Sequence, residues 1–185
     1  NISKIIRNDL GAKIYYGGEN EFFDYDKVVI ATHADEALEI IDNPTLDEEE
    51  ILKNFKYREN TAIIHFDDSI MPRNRKAWCS WNCSMSKSNI KKISVTYWLN
   101  QLQNLNIDRN IFLTINPFRE IPEDKIFKKV RFSHPYYDND ALSNQVNLNK
   151  IQNKKNILFC GSYFGYGFHE DGIKSSIEML KTLND

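Results

Sequence analysis

Apolar and polar positions along the chain fall into short runs separated by turn residues, and each run predicts an element. Ile2 to Arg7 and Ala12 to Tyr16 are β-prone, and Asn8-Asp9-Leu10-Gly11 between them fits a hairpin turn, with Gly11 supplying a positive φ. Gly17-Gly18 allows a second turn. Val28 to Ala31 is apolar throughout and short, which predicts a strand buried on both faces. A helix is expected over Ala34 to Ile41, with Leu38 and Ile41 on one side. After Pro44, the acidic run Asp47 to Glu50 suits a helix N-terminus, where carboxylates meet the positive end of the helix dipole. Thr61 to Phe66, Lys91 to Trp98, Ile111 to Ile115 and Ile126 to Ser133 read as strands, and Ala77 to Cys83 as an extended segment. Leu99 to Leu105 and Ala141 to Ile151 have helical spacing, while His134-Pro135 reads as loop. Ile157 to Cys160 is a second buried-type strand, after which Ile173, Ile177, Leu180 and Leu183 mark one face of a helix.

Composition narrows the class without naming a function. Of 185 residues, 41% are hydrophobic and 27% charged, so the chain can build a core and an ordered domain is expected. A formal net charge of -2 gives no basic field for nucleic acid. Cys79, Cys83 and Cys160 show no disulfide spacing, which points to a reducing, cytoplasmic setting. No apolar run approaches the roughly 20 residues that span a bilayer, and no signal-peptide pattern opens the chain. It begins with Asn1 and reads as a strand from Ile2, which suggests a piece of a longer protein.

Glycine is the uneven residue. Gly11, Gly17 and Gly18 lie near the start, and Gly161, Gly165, Gly167 and Gly172 lie near the end. The late group sits in a strand, glycine-rich loop, helix order, where backbone N–H groups can meet a ligand. Tyr163, Phe164, Tyr166 and Phe168 interleave with these glycines, and such a loop suits a planar ring better than a bare phosphate. It lacks Gly-Lys-Ser/Thr and Gly-x-Gly-x-x-Gly, so it is neither a P-loop nor a dinucleotide fingerprint. By spacing alone it fits a plain βα connection as well as a cofactor loop.

The segment from Phe159-Cys160-Gly161-Ser162 to Tyr166-Gly167-Phe168-His169-Glu170-Asp171-Gly172 resembles the C-terminal FAD-contacting motif of the flavin-containing amine oxidase superfamily. It is especially similar to a bacterial subgroup of NAD/FAD-binding, amine-oxidase-like proteins. Asp26 to Ala34 resembles the strand that re-enters the FAD domain. Trp78 to Asn82, Thr96-Tyr97-Trp98, Thr114 to Pro117 and His134-Pro135 follow in the same order, so the resemblance spans nearly the whole chain. It implies a mixed α+β to α/β fold, the C-terminal portion of an FAD-dependent oxidoreductase. Residues 1–43 would be part of the FAD-binding domain, 44–150 a mixed-sheet substrate-binding domain, and 151–185 the C-terminal strand, loop and helix of the FAD domain. The implied cofactor-binding residues are Gly161, Ser162, Gly167, Phe168, His169, Glu170, Asp171 and Gly172. Phe168, Tyr97 and Trp98 are the implied pocket for a small-molecule substrate. Backbone N–H groups near Glu170, Asp171 and Gly172 would stabilise negative charge at the flavin N1–C2=O edge. FAD would be non-covalent, because the tethering cysteine of some relatives has no counterpart.

Two departures stand out. Ser162 replaces an acid that many relatives carry, and no dinucleotide fingerprint precedes the motif, so the N-terminal dinucleotide-binding half of the same polypeptide would be missing. No catalytic residue is identified, and the lysine that some members place near flavin N5 is unmatched. Cys79-x-x-x-Cys83 and the scattered His33, His65, His134 and His169 match no metal motif. His65 reads as structural, and Asp67-Asp68 after it as a solvated strand end. Arg73, Arg75 and Lys76 form a small basic loop that suits a solvated face, an acidic substrate or a lipid headgroup. The expected activity is hydride transfer from an organic substrate to flavin. The alternatives are a flavin-dependent desaturase or isomerase of an acyl or isoprenoid chain, and a non-catalytic α/β binding domain.

Overall fold

The computed structural model describes residues 2–17, 21–86 and 92–183. Strands β1 (Ile2–Asn8), β2 (Gly11–Tyr16), β3 (Phe22–Tyr25) and β4 (Val28–Ile30) precede helices α1 (Ala34–Ile40) and α2 (Leu46–Leu52). The middle runs β5 (Lys56–His65), β6 (Trp81–Met85), β7 (Ile93–Trp98), α3 (Leu99–Leu102), β8 (Phe112–Ile115) and β9 (Ile126–Tyr136). Helix α4 (Asn139–Asn144), β10 (Ile157–Phe159) and α5 (His169–Lys181) complete the order. The fold is mixed α/β, as expected, and no helix among the described residues is long and apolar enough to cross a membrane.

The chain divides into two compact units, Asn1–Arg58 with Pro135–Asp185, and Glu59–His134. The compact middle unit is therefore shorter at both ends than the expected 44–150. The reason is core packing. Leu52, Phe55, Ala141 and Leu148 are buried in one cluster with Ile5, Val28 and Ile157, so 44–58 and 135–150 fold with the chain ends.

In the first unit β1, β2 and β3 form an antiparallel meander, with Ile5 opposite Ile14 and Ile14 opposite Phe23. Gly11 is required for a reason other than the expected positive φ. A Cβ there would lie 2.0 Å from the Tyr25 carbonyl oxygen, so the residue is demanded by close backbone approach. The turn expected at Gly18 lies outside the described residues. β4 pairs parallel with β10, Val28 against Ile157 and Ile30 against Phe159. β10 is buried throughout, whereas Val29 of β4 is 44% exposed, so only one face of that strand is covered. Helix α2 begins in a reciprocal cap: the Glu48 amide donates to Thr45 Oγ1 at 3.3 Å, and the Thr45 amide donates to Glu48 Oε2 at 2.7 Å. Glu48 is fully buried and also accepts from Arg7 Nη2.

Helix α5 presents the opposite side to the core from the one its apolar spacing suggests. Ser175 and Met179 are buried, while Ile173, Ile177 and Leu180 are 52–56% exposed. Met179 packs with Leu158 and Cys160, and the Ser175 hydroxyl accepts from the Gly161 amide at 2.9 Å. These two anchors fix the helix rotation.

In the second unit the strand order is β6-β7-β8-β5-β9. The chain enters the unit within β5 and leaves it within β9. Trp78 covers one face of the sheet, its ring centroid 5.3 Å from Trp98 and 5.7 Å from Phe112. A polar ladder runs across the same strands: His65 Nε2 meets Thr114 Oγ1 at 2.7 Å, which meets Thr96 Oγ1 at 2.9 Å. The Asp67 amide donates to His65 Nδ1 at 3.1 Å, so Nε2 carries the proton. Burial drives the His65 pKa down to about 4. Asp67 is itself buried, against the expected solvated strand end. Burial opposes its ionisation, but bonds from Lys125 Nζ (2.9 Å) and the Ser69 hydroxyl (2.8 Å) hold its carboxyl below the ordinary range. His134-Pro135 lies inside β9 rather than in a loop. β9 is a sheet edge, where proline's missing donor is tolerated.

Candidate functional site

The glycine-rich loop joins β10 to α5 within the first unit. After β10, the Ser162 carbonyl organises the turn. It accepts from the amides of Gly165 (3.1 Å) and Gly167 (3.2 Å) and from the Tyr137 hydroxyl (3.3 Å). Burial pushes the Tyr137 pKa up to about 12, so this hydroxyl stays protonated and donates. Gln145 Nε2 donates to the carbonyls of Tyr163 and Gly165 from the other side. Gly167 adopts φ 92°, which disfavours any side chain.

Asp171 has a structural task. Its Oδ2 accepts from the amides of Tyr166 (2.9 Å) and Phe168 (3.0 Å), so the carboxylate folds back over the loop and caps α5. The Asp171 and Gly172 amides both donate to the Phe168 carbonyl. The first amides of the helix have no partner within it by geometry, and they belong to the exposed His169 and Glu170.

Gly172 is the informative residue. It lies inside a regular helix, where glycine costs about 1 kcal/mol relative to alanine. An added Cβ would meet nothing nearer than the Ser162 amide nitrogen at 3.9 Å. The other loop glycines are enforced from within: a Cβ on Gly161 would lie 2.7 Å from the Tyr163 ring, and one on Gly165 would lie 2.4 Å from Asp171 Cγ. Packing does not demand glycine at 172. A Cβ at 172 would make an ordinary van der Waals contact with the Ser162 amide beside the start of α5.

The structure thus brings Gly161, Ser162, Gly167, Asp171 and Gly172 into one loop-helix junction. Phe168 is 68% exposed at its rim, with His169 and Glu170 also exposed. Tyr97 and Trp98 are adjacent on β7 and point to opposite faces. Tyr97 packs on Trp81 at 5.4 Å, and Trp98 on Trp78. Both belong to the second unit, while Phe168 belongs to the first. Tyr137, Gln145 and Gln152 were not legible as supports. The Gln152 side chain donates to the Phe159 carbonyl (2.6 Å) and accepts from its amide (3.0 Å), standing in for a neighbouring strand at β10. Among the described residues, no group of three or more His, Cys, Asp or Glu side chains could hold a metal ion.

No family model and no curated protein matches the chain. Solved structures do. A CLA-producing fatty acid isomerase from P. acnes aligns with a TM-score of 0.61 at 12% identity, over 98% of this chain and 47% of its own. Putrescine oxidase bound to putrescine aligns with a TM-score of 0.62 at 10% identity, over 100% of this chain and 48% of its own. Cyclohexylamine oxidase from Brevibacterium oxydans IH-35A gives 0.60 at 9%, over 100% and 49%. The chain shares the fold of about half of each of these enzymes and spans about half their length.

Proposed function

We propose that this chain is the flavin-facing part of an FAD-dependent oxidoreductase of the amine-oxidase type, acting on a small organic substrate. The observation that carries the reading is Gly172, a glycine in the first turns of α5 for which no packing reason exists among the described residues, set beside the Ser162 amide. Non-covalently bound FAD would supply the hydride-accepting ring. The amides of Ser162, His169 and Glu170 would hold the anionic edge of that ring, aided by the helix dipole. The Tyr137 and Asp171 contacts would keep those amides in place before the cofactor arrives. The exposed ring of Phe168 would flank the substrate.

The same reading assigns a partner to the uncovered surface. Ile173, Ile177 and Leu180 on α5 and Val29 on β4 are half-exposed apolar groups beside a sheet that has two strands among the described residues. A dinucleotide-binding half in the same polypeptide would cover them, and the twofold length of the solved relatives supports this. The test is the purified full-length gene product. A flavin spectrum bleached anaerobically by an amine supports the proposal, and bleaching only by a lipid extract would move it to a desaturase or isomerase. A colourless full-length protein refutes it. The isolated 185-residue chain should bind FAD poorly, and slow flavin release from it would overturn that expectation.

A further inference from the structure

Charge is strongly segregated between the two units. Glu59–His134 contains twelve lysines and arginines against seven aspartates and glutamates, a formal +5, so the rest of the chain carries -7 against the total of -2. Much of the positive charge gathers along one groove of the second unit. One lobe, of about 270 Å³, has Arg73 and Arg119 in its lining. The other, of about 490 Å³, has Lys92, Lys129 and Arg131. Pro117 and Phe118 line both, so the two lobes are neighbours.

No carboxylate lines either lobe. None of the five cations forms an ion pair among the described residues. Elsewhere in the chain, buried or half-buried cations do find acids, as Arg7 finds Glu48 and Lys125 finds Asp67. Five uncompensated like charges in one depression repel one another, and an anion bound among them relieves that repulsion. The groove floor is held in advance of any ligand. Asn116 adopts φ 49°, its amide donates to the Thr61 carbonyl at 2.8 Å, and its Oδ1 accepts from the Thr61 amide at 2.9 Å. Arg119 Nη1 reaches the Ser69 carbonyl at 3.5 Å. Three of the five cations are arginines, whose planar fork matches phosphate oxygens in pairs.

We infer that this groove binds a phosphate-bearing ligand, with Arg73 and Arg119 engaging it at one lobe and Lys92, Lys129 and Arg131 at the other. The inference stands apart from the flavin reading and needs no flavin to test it. Calorimetric titration of the full chain with pyrophosphate and inorganic phosphate gives one arm. Co-sedimentation with phosphatidylcholine vesicles containing phosphatidic acid gives the other. Arg131→Glu in one lobe and Arg73→Glu in the other should each weaken binding about tenfold or more. Lys128→Glu makes the same charge change on the opposite face of β9, outside the groove, and should stay within about threefold of the parent. Circular dichroism confirms that each variant folds. Binding of pyrophosphate without vesicle binding supports a soluble phosphate compound as the ligand. Vesicle binding that the groove variants lose supports a lipid headgroup. Absence of binding to every probe, or an equal loss in Lys128→Glu, overturns the inference.

Discussion

Replacing Gly172 with alanine should make this chain more stable and the full-length enzyme a poorer flavin binder. Gly172 is the fourth residue of α5 and does not have a positive φ. The new Cβ would come no nearer than 3.9 Å to any neighbour, an ordinary van der Waals contact. What remains is the backbone term, in which glycine inside a helix is worse than alanine by about 0.5–1 kcal/mol. For a chain of this length, 1 kcal/mol moves the melting temperature by roughly 2–4 °C. Gly172→Ala should therefore melt about 1–4 °C higher than the parent by far-ultraviolet circular dichroism. In the full-length protein, the same methyl group would fill the space proposed for the flavin edge, and flavin absorbance after gel filtration should fall. Gly165→Ala is the contrast. Its Cβ would collide with Asp171 Cγ at 2.4 Å, and overpacking of this kind costs about 1–3 kcal/mol. Two results would refute the reasoning. A drop in stability for Gly172→Ala would show that the space beside Gly172 is filled by the chain itself. A stability gain with flavin retention unchanged would show that the space is not the flavin's.

Three further outcomes follow from the same geometry. Asp171→Ala removes the acceptor for the Tyr166 and Phe168 amides and should cost about 1–2 kcal/mol in urea unfolding; a change near zero would remove Asp171 as the cap. His65, ordinarily near 6.5 and driven by burial to about 4, stays neutral in the fold while the unfolded chain takes up a proton. Its contribution is present in full above about pH 6.5 and falls by about 3 kcal/mol towards pH 4, so the urea midpoint should decline across that window and a flat profile would count against it. Ile177→Lys should leave the stability of the 185-residue chain within about 0.5 kcal/mol, because the side chain is already half-exposed. The same change in the full-length protein should disrupt flavin retention, and indifference there would mean that nothing covers this face.

Local pattern determined most of the elements. The meander of β1 to β3, the parallel-type strands β4 and β10, the capped α2 and the glycine loop before α5 are all legible as runs, caps and breakers. These features depend on residues a few positions apart, and propensity, capping and turn chemistry act at that range. The loop glycines could be picked out in the same way, but their separate tasks could not. Gly165 and Gly161 are fixed by Asp171 and Tyr163, whereas Gly172 is fixed by none of the described residues, and only the tertiary structure separates those cases.

Tertiary structure decided the rest, wherever one residue's environment comes from a distant segment. The apolar stripe of α5 predicts an inward face, yet the Ser175 bond to Gly161 and the packing of Met179 on Leu158 turn Ile173, Ile177 and Leu180 outward. Asp67 looks like a solvated strand end until Lys125, 58 residues on, meets it in a buried site. Tyr97 and Trp98 are neighbours in sequence but line opposite faces of a sheet, because the strand's alternation separates them. The basic groove is a faint scatter of lysines and arginines along the chain. It becomes a site only when Arg73, Lys92, Arg119, Lys129 and Arg131 are carried by different strands and loops to one depression. Sequence order shows which local shapes the backbone adopts; the free energy of burial and of charge depends on which distant groups those shapes bring together.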